Sequence, residues 1–206
     1  MIAIVDYEMG NLRSVQKGFE TVGYDAVVTR DPAVIDRASH VVLPGVGAFG
    51  DCVTNLDQFG LVEPLRHGIS QGKPFLGICL GLQVLFTESE EFGSHPGLDI
   101  IQGKVKRFSH AEHEEKGLKV PHMGWNTIDI KAPSPLLKEI APESYVYFVH
   151  SYYVEPVEPK IICTETTYGM PFVSSVAYDN VFACQFHPEK SQRIGLQLLR
   201  NFGAWN

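Results

Sequence analysis

Four short β-branched runs, "IAIVD" (2–6), "DAVVT" (25–29), "HVVLP" (40–44) and "PFLGIC" (74–79), alternate in the first half of the chain with segments of helical spacing. In "LRSVQKGFETVG", Leu12, Val15, Phe19 and Val22 fall on one helical face. Asn11 stands where a cap belongs, and Gly23 where the helix can stop. Further helical patterns cover 51–58 and 61–70. Strands that alternate with helices cannot pair as hairpins. They predict a parallel sheet with helices on both faces, an α/β fold.

From about Glu90 the texture changes. "GKVKRF", "WNTIDI", "YVYFVHSYYV", "IICTETTYG" and "FVSSVAYDNVFACQF" read as strands separated by turn residues. Asp179-Asn180 lies between two of them, as in a tight hairpin. "HAEHEEKG" (110–117) reads as a charged, exposed loop, and a helix is expected near "SQRIGLQLLRNFG" at the C-terminus. The expectation is one domain over 1–206, with antiparallel strands added to the parallel sheet.

Composition narrows the function. The net charge of −7 disfavours nucleic acid or an anionic membrane as a main partner. No apolar run approaches the roughly 18–20 residues that span a bilayer. "MIAIVDYEMG" lacks the basic start of a signal peptide, so a cytoplasmic location with reduced thiols is expected. Cys52, Cys79, Cys163 and Cys184 form no CxxC pair, and no metal site or cofactor is expected.

One cysteine differs from the rest. In "PFLGICLGLQVLF", Cys79 stands between Gly77 and Gly81, at the junction of a strand-like and a helix-like run. This is the layout of a nucleophile elbow with Cys in place of Ser. The glycines permit a sharp turn, and free N–H groups at a helix start favour a thiolate. Read alone, Cys79 is either that nucleophile or a buried, inert thiol. A nucleophile needs a base, and "CQFHPEKS" offers one. In an extended segment, residues i and i+2 project to the same side, so Glu189 can orient the imidazole of His187. The remaining histidines show no such pattern, and Cys52, Cys163 and Cys184 read as core thiols.

"VVLPGVGAFG" contains Gly45-x-Gly47-x-x-Gly50, the spacing of a dinucleotide-binding turn. It follows the third strand rather than the first, and no acidic residue lies about 20 positions on, as that motif requires. A glycine turn can instead present backbone N–H groups to an oxyanion, here from Val46 and Gly47, beside that of Leu80.

"LPGVGAFG", "GICLGLQ" and "QFHPEKS", in this order, resemble the class I, triad-type glutamine amidotransferases over nearly the whole chain. "PHMGWN" (121–126), "YFVHSYY" (147–153) and "DYEMGNLRSV" sharpen the resemblance, toward the glutaminase subunits of imidazole glycerol phosphate synthases. That resemblance implies a flavodoxin-like fold and a triad of Cys79, His187 and Glu189. It implies oxyanion donors at Gly47 and Leu80. L-Glutamine would be held by Gln83, Glu91, His150, Ser151 and Tyr152. It also implies a separate (β/α)8-barrel cyclase subunit, met near Asn11, His122, Met123, Trp125, Asn126 and Lys190. Glu8 departs from the pattern, because a glycine or small residue is expected at that point of the first loop. Other synthase glutaminases, a cysteine peptidase or γ-glutamyl hydrolase, and a non-catalytic binding module are the rival readings.

Overall fold

The computed structural model describes the backbone of residues 1–206 and every side chain except that at position 112. Its first half is β1 Ile2–Val5, α1 Leu12–Thr21, β2 Ala26–Thr29, α2 Pro32–Arg37, β3 His40–Gly45, α3 Phe49–Gln58, α4 Val62–Ser70 and β4 Phe75–Cys79, followed by one turn of helix, α5 Leu80–Gln83. Then come β5 Phe86–Ser89, β6 His95–Pro96, β7 Ile101–Arg107, α6 His110–Glu115, β8 His122–Ile130, β9 Ser144–His150 and β10 Tyr152–Pro156. The chain closes with β11 Ile162–Tyr168, β12 Met170–Tyr178, β13 Val181–Cys184 and α7 Gln192–Gly203.

The strands form one sheet in the order β2-β1-β3-β4-β13-β12-β10-β7-β5-β6, with β11 joining β12 to β8 and β8 pairing β9. The predicted parallel part is present: β2, β1, β3, β4 and β13 run the same way. β1, β3, β4 and β13 are buried along their whole length, as expected where helices cover both faces, while the edge strand β2 is half-buried after Ala26. Two apolar clusters, one built around Leu43, Phe49 and Leu65 and the other around Phe19, Leu198 and Phe202, form the core. The predicted hairpin exists, with Tyr178 paired to Val181 across Asp179 and Asn180. No helix among the described residues is long and apolar enough to cross a membrane.

Four local expectations are corrected. Residues 110–115 are helical rather than a loop, and His113 is buried, its ring nitrogens 2.8 and 2.9 Å from the carbonyls of Ser109 and Tyr168. Asn11 occupies the cap position of α1 without a side-chain capping bond; its carbonyl, not its amide, accepts from Ser14 and Val15. The helix after Cys79 lasts one turn, because Leu82, Val84, Leu85 and Phe86 are all buried and the chain re-enters the sheet as β5. His122, expected at a partner surface, is 3% exposed.

His122 belongs instead to a buried polar chain. β8 and β9 pair with His122 opposite His150. Nδ1 of His150 lies 2.7 Å from the Tyr152 carbonyl, which only accepts, so that nitrogen carries the proton. His150 Nε2 therefore accepts from His122 Nδ1 at 3.0 Å. His122 Nε2 accepts from Asn126 at 3.3 Å, and that amide also donates to the Thr167 carbonyl. The chain works only with both rings neutral. Burial pushes His150 down to about 3, and burial aided by nearby His113 pushes His122 down to about 4.

Two outcomes follow. Because both folded-state values lie below the ordinary 6.5, the unfolded chain binds more protons in acid. The stability carried by the neutral pair is complete above pH 6.5 and is lost as pH falls toward 4. Urea midpoints should fall over that window, and less steeply in His122→Phe. Separately, a Cβ on Gly195 of α7 would collide with the Pro188 carbonyl. Gly195→Ala should destabilise by about 1–3 kcal/mol in denaturant titration.

Candidate active site

The parallel pairing delivers three chain segments to one edge. Gly45, last in β3, lies opposite Cys79, last in β4. Cys184, last in β13, lies opposite Ile78. The glycine turn 45–47, the cysteine turn and the segment Gln185–Glu189 thus leave the C-terminal ends of neighbouring parallel strands, where open α/β sheets bind their ligands.

The glycines around Cys79 are required by packing. A Cβ on Gly77 would sit 2.7 Å from the Gly81 carbonyl oxygen, and one on Gly81 would run into the Leu43 carbonyl of β3. Between them Cys79 adopts φ 55°, ψ −107°, a strained backbone for a residue with a side chain. This turn sets the sulfur at the floor of a cleft of about 290 Å³. As the first residue of α5, Leu80 has an N–H with no intrahelical acceptor. Gly47 faces the same cleft with φ 102°. A single helical turn supplies little dipole, so the help expected from a long helix is reduced to its free N–H groups.

His187 and Glu189 meet as expected, but across a 3-10 turn at Pro188–Lys190 where an extended segment was expected. His187 Nδ1 lies 2.9 Å from Glu189 Oε1, and the two side chains are 2% and 1% exposed. The other imidazole nitrogen, Nε2, is buried with no hydrogen-bond partner. Burial alone would lower the His187 pKa. The Cys79 sulfur and the Glu189 carboxylate beside it outweigh burial and raise His187 to about 10. The segment is stitched to β9: His187 N–H donates to the Tyr147 carbonyl, and Ser191 Oγ accepts from Tyr147 N–H while donating to the His187 carbonyl. By contrast, burial pushes Cys52 up to about 12 and Cys163 up to about 11, and raises Cys184 as well, so these three thiols stay inert.

The cleft also gathers the five residues expected to hold an amino acid: Gln83, Glu91, His150, Ser151 and Tyr152. Burial raises the Glu91 pKa, while Glu91 Oε2 accepts from Phe49 N–H at 2.6 Å, which holds the carboxylate in place. Gln83 is 5% exposed and donates to the Tyr152 carbonyl at 3.1 Å. Its amide also donates to Gln185, a residue that sequence reasoning passed over.

Of the remaining expected surface residues, Met123 and Trp125 are 63% and 45% exposed. Trp125 sits edge-on to Tyr147, with ring centroids 6.0 Å apart, and Lys190 Nζ lies 5.7 Å from the centre of the Tyr147 ring. Asn126 and Asn11 are half-buried. Glu8, which stands where a small residue is expected, has φ 67°, a conformation that suits glycine; its carboxylate pairs with Arg30 at 3.1 Å.

Comparison with known proteins agrees with this geometry. The family profile described as Glutamine amidotransferase class-I matches residues 3–204. The chain is 58% identical over 205 residues to "Imidazole glycerol phosphate synthase subunit HisH" of Syntrophotalea carbinolica, covering 98% of this chain and 99% of that protein. It is 55% identical over 203 residues to the protein of the same name from Geobacter sulfurreducens, covering 98% and 97%. Among solved structures, "Crystal structure of glutamine amidotransferase" superposes with a TM-score of 0.75 at 16% identity, covering 98% of this chain and 100% of that one. "Structure of PurLQS from Thermotoga maritima" superposes with a TM-score of 0.76 at 15% identity, covering 98% and 97%. These structures share the fold. The match over 3–204, with the full-length identities, means that this chain belongs to the class I glutamine amidotransferase family.

Proposed function

We propose that the chain, as a single domain, is the glutaminase subunit of an imidazole glycerol phosphate synthase. It would hydrolyse L-glutamine and pass ammonia to a separate (β/α)8-barrel cyclase in histidine biosynthesis. The observation that carries this reading is the buried His187–Glu189 pair, with a free imidazole nitrogen, beside a cysteine held in an elbow. The full-length identity to proteins named as the HisH subunit supports the choice of synthase.

In this reading the Cys79 thiolate attacks the side-chain amide carbon of glutamine. The electron pair of the C=O bond moves to oxygen, where the N–H groups of Leu80 and Gly47 meet it. Such a donor is worth roughly 2.7–4 kcal/mol of barrier. His187, charged by its two neighbours, gives a proton to the departing ammonia. The imidazole then takes a proton from water, which attacks the thioester, releases glutamate and returns the electron pair to sulfur. Glu91 answers the substrate's α-amino group, and the 150–152 edge answers its carboxylate end.

Ammonia released into neutral water becomes ammonium, which is no nucleophile, so it must be handed over under cover. Exposed Met123 and Trp125, with Lys190 over Tyr147, form the face proposed to meet the cyclase, and Asn11 and Asn126 lie at its half-buried margin. The Tyr147 that carries Lys190 on its ring also holds His187 through its backbone carbonyl.

Glutamate release should require Cys79, vanish in Cys79→Ser, and rise sharply when the cyclase and its nucleotide ligand are added. Release that depends on Cys79 but ignores the cyclase would sink the pairing; no release under any condition would sink the function. His187→Ala should lower kcat by about 10²- to 10⁴-fold. Lys190→Ala should weaken the complex and its stimulation while leaving alkylation of Cys79 intact. Unchanged affinity and unchanged stimulation would remove Lys190 from the interface.

A further inference from the structure

Gln185 is wholly buried, and none of the steps above uses it. Its orientation is fixed by logic rather than by shape. The Tyr152 carbonyl can only accept, so the nitrogen of the Gln83 amide must face it. That same nitrogen lies 3.0 Å from Gln185, so Gln185 must present its oxygen there. Its amide nitrogen is thereby turned the other way, onto the Cys79 sulfur at 3.5 Å.

We propose that Gln185 is a further catalytic residue, whose side-chain N–H donates to the Cys79 sulfur and holds it as the attacking thiolate. The inference rests on the proposed glutaminase reading and deepens it. Apart from His187, the groups around the sulfur favour the anion. A thiol needs an acceptor for its proton, and besides the imidazole of His187 the Val149 carbonyl stands 3.9 Å away. A thiolate needs donors, and Gln185 supplies one at 3.5 Å. A neutral amide stabilises this charge without competing with His187 for the proton. A charged donor at the same place would oppose protonation of His187. The donor acts twice in a cycle. It holds the anion before attack, when the sulfur electron pair forms the bond to carbon. It receives the anion again when water breaks that bond and the pair returns to sulfur. Through its oxygen the same side chain fixes Gln83, so one residue ties the nucleophile to the wall of the substrate cleft.

The test reads the sulfur directly. Iodoacetamide alkylation of Cys79 is followed against pH in the full chain, alone and with the cyclase, with Cys79→Ser as blank. Gln185→Met removes both bonds. Gln185→Glu keeps the oxygen that Gln83 needs and puts an acceptor against the sulfur. His187, Tyr7 and Cys184, the titratable groups that feel Cys79, are the same in every variant. Both substitutions should move the half-maximal pH upward by about one unit. In the complex, Gln185→Glu should lower kcat with little change in KM, whereas Gln185→Met should change both. An alkylation midpoint that stays in place in folded variants overturns the proposal. Should neither variant fold, the unmodified protein still answers: the Gln185 side-chain amide resonance must shift when Cys79 is alkylated, and an unmoved resonance overturns the proposal equally. Alkylation reports on the sulfur whether or not glutamine is the substrate, so failure of the glutaminase reading shows separately, as absent glutamate release by the unmodified complex.

Discussion

Parallel pairing of β13 with β4 is the constraint on which the site depends. β13 comes more than a hundred residues after β4 in the chain, yet it lies against it with Cys184 beside Ile78. That register places Gln185 and His187 next to Cys79. A slip of one residue would turn every side chain of the segment to the opposite face. The hairpin at Asp179-Asn180, the burial of all four β13 residues and the docking of α7 on the Pro188 carbonyl all oppose such a slip. The geometry of the proposed site is set by strand registration, with the loops adding only the last step outward.

The polar interior is organised around acceptors that cannot donate. The carbonyls of Tyr152 and Tyr147 each anchor side chains or backbone from distant parts of the chain. Because a carbonyl has one role, each fixes the orientation of the amide or imidazole beside it. Those groups fix the next in turn, as far as Asn126 in one direction and Cys79 in the other. Buried polar groups arranged in this way leave few alternative arrangements of similar energy.

Much of this was legible in the sequence, for reasons that particular residues make plain. Of the four early strands, β1, β3 and β4 announce themselves because they are buried along their length and therefore continuously apolar. The cysteine turn is legible because its glycines answer backbone contacts that tolerate no Cβ. His187 and Glu189 are legible as a base with an acid two residues on, although a 3-10 turn over Pro188–Lys190, and not an extended segment, brings them together. What escaped was decided by partners far along the chain. The helix after Cys79 stops at one turn because β5 is drawn into the sheet beside β7, which local spacing does not reveal. The charged stretch 110–117 hides a helix because His113, the one inward residue among those described there, finds its acceptors at Ser109 and, far ahead, at Tyr168. His122 sits in a string that looks like a surface motif, yet strand pairing points it at His150. Gln185 went unread because an amide does not draw attention as an imidazole does.

The backbone at Cys79 has a consequence for the history of such a chain. A left-handed φ on a residue with a side chain costs about 1–3 kcal/mol, a large share of the 5–15 kcal/mol that keeps a domain folded. Glycine would occupy that position without strain. The thiol is therefore kept where folding alone would discard it. In a lineage released from the need to split glutamine, drift would favour its loss, and the most stable descendants of this fold would be the inactive ones.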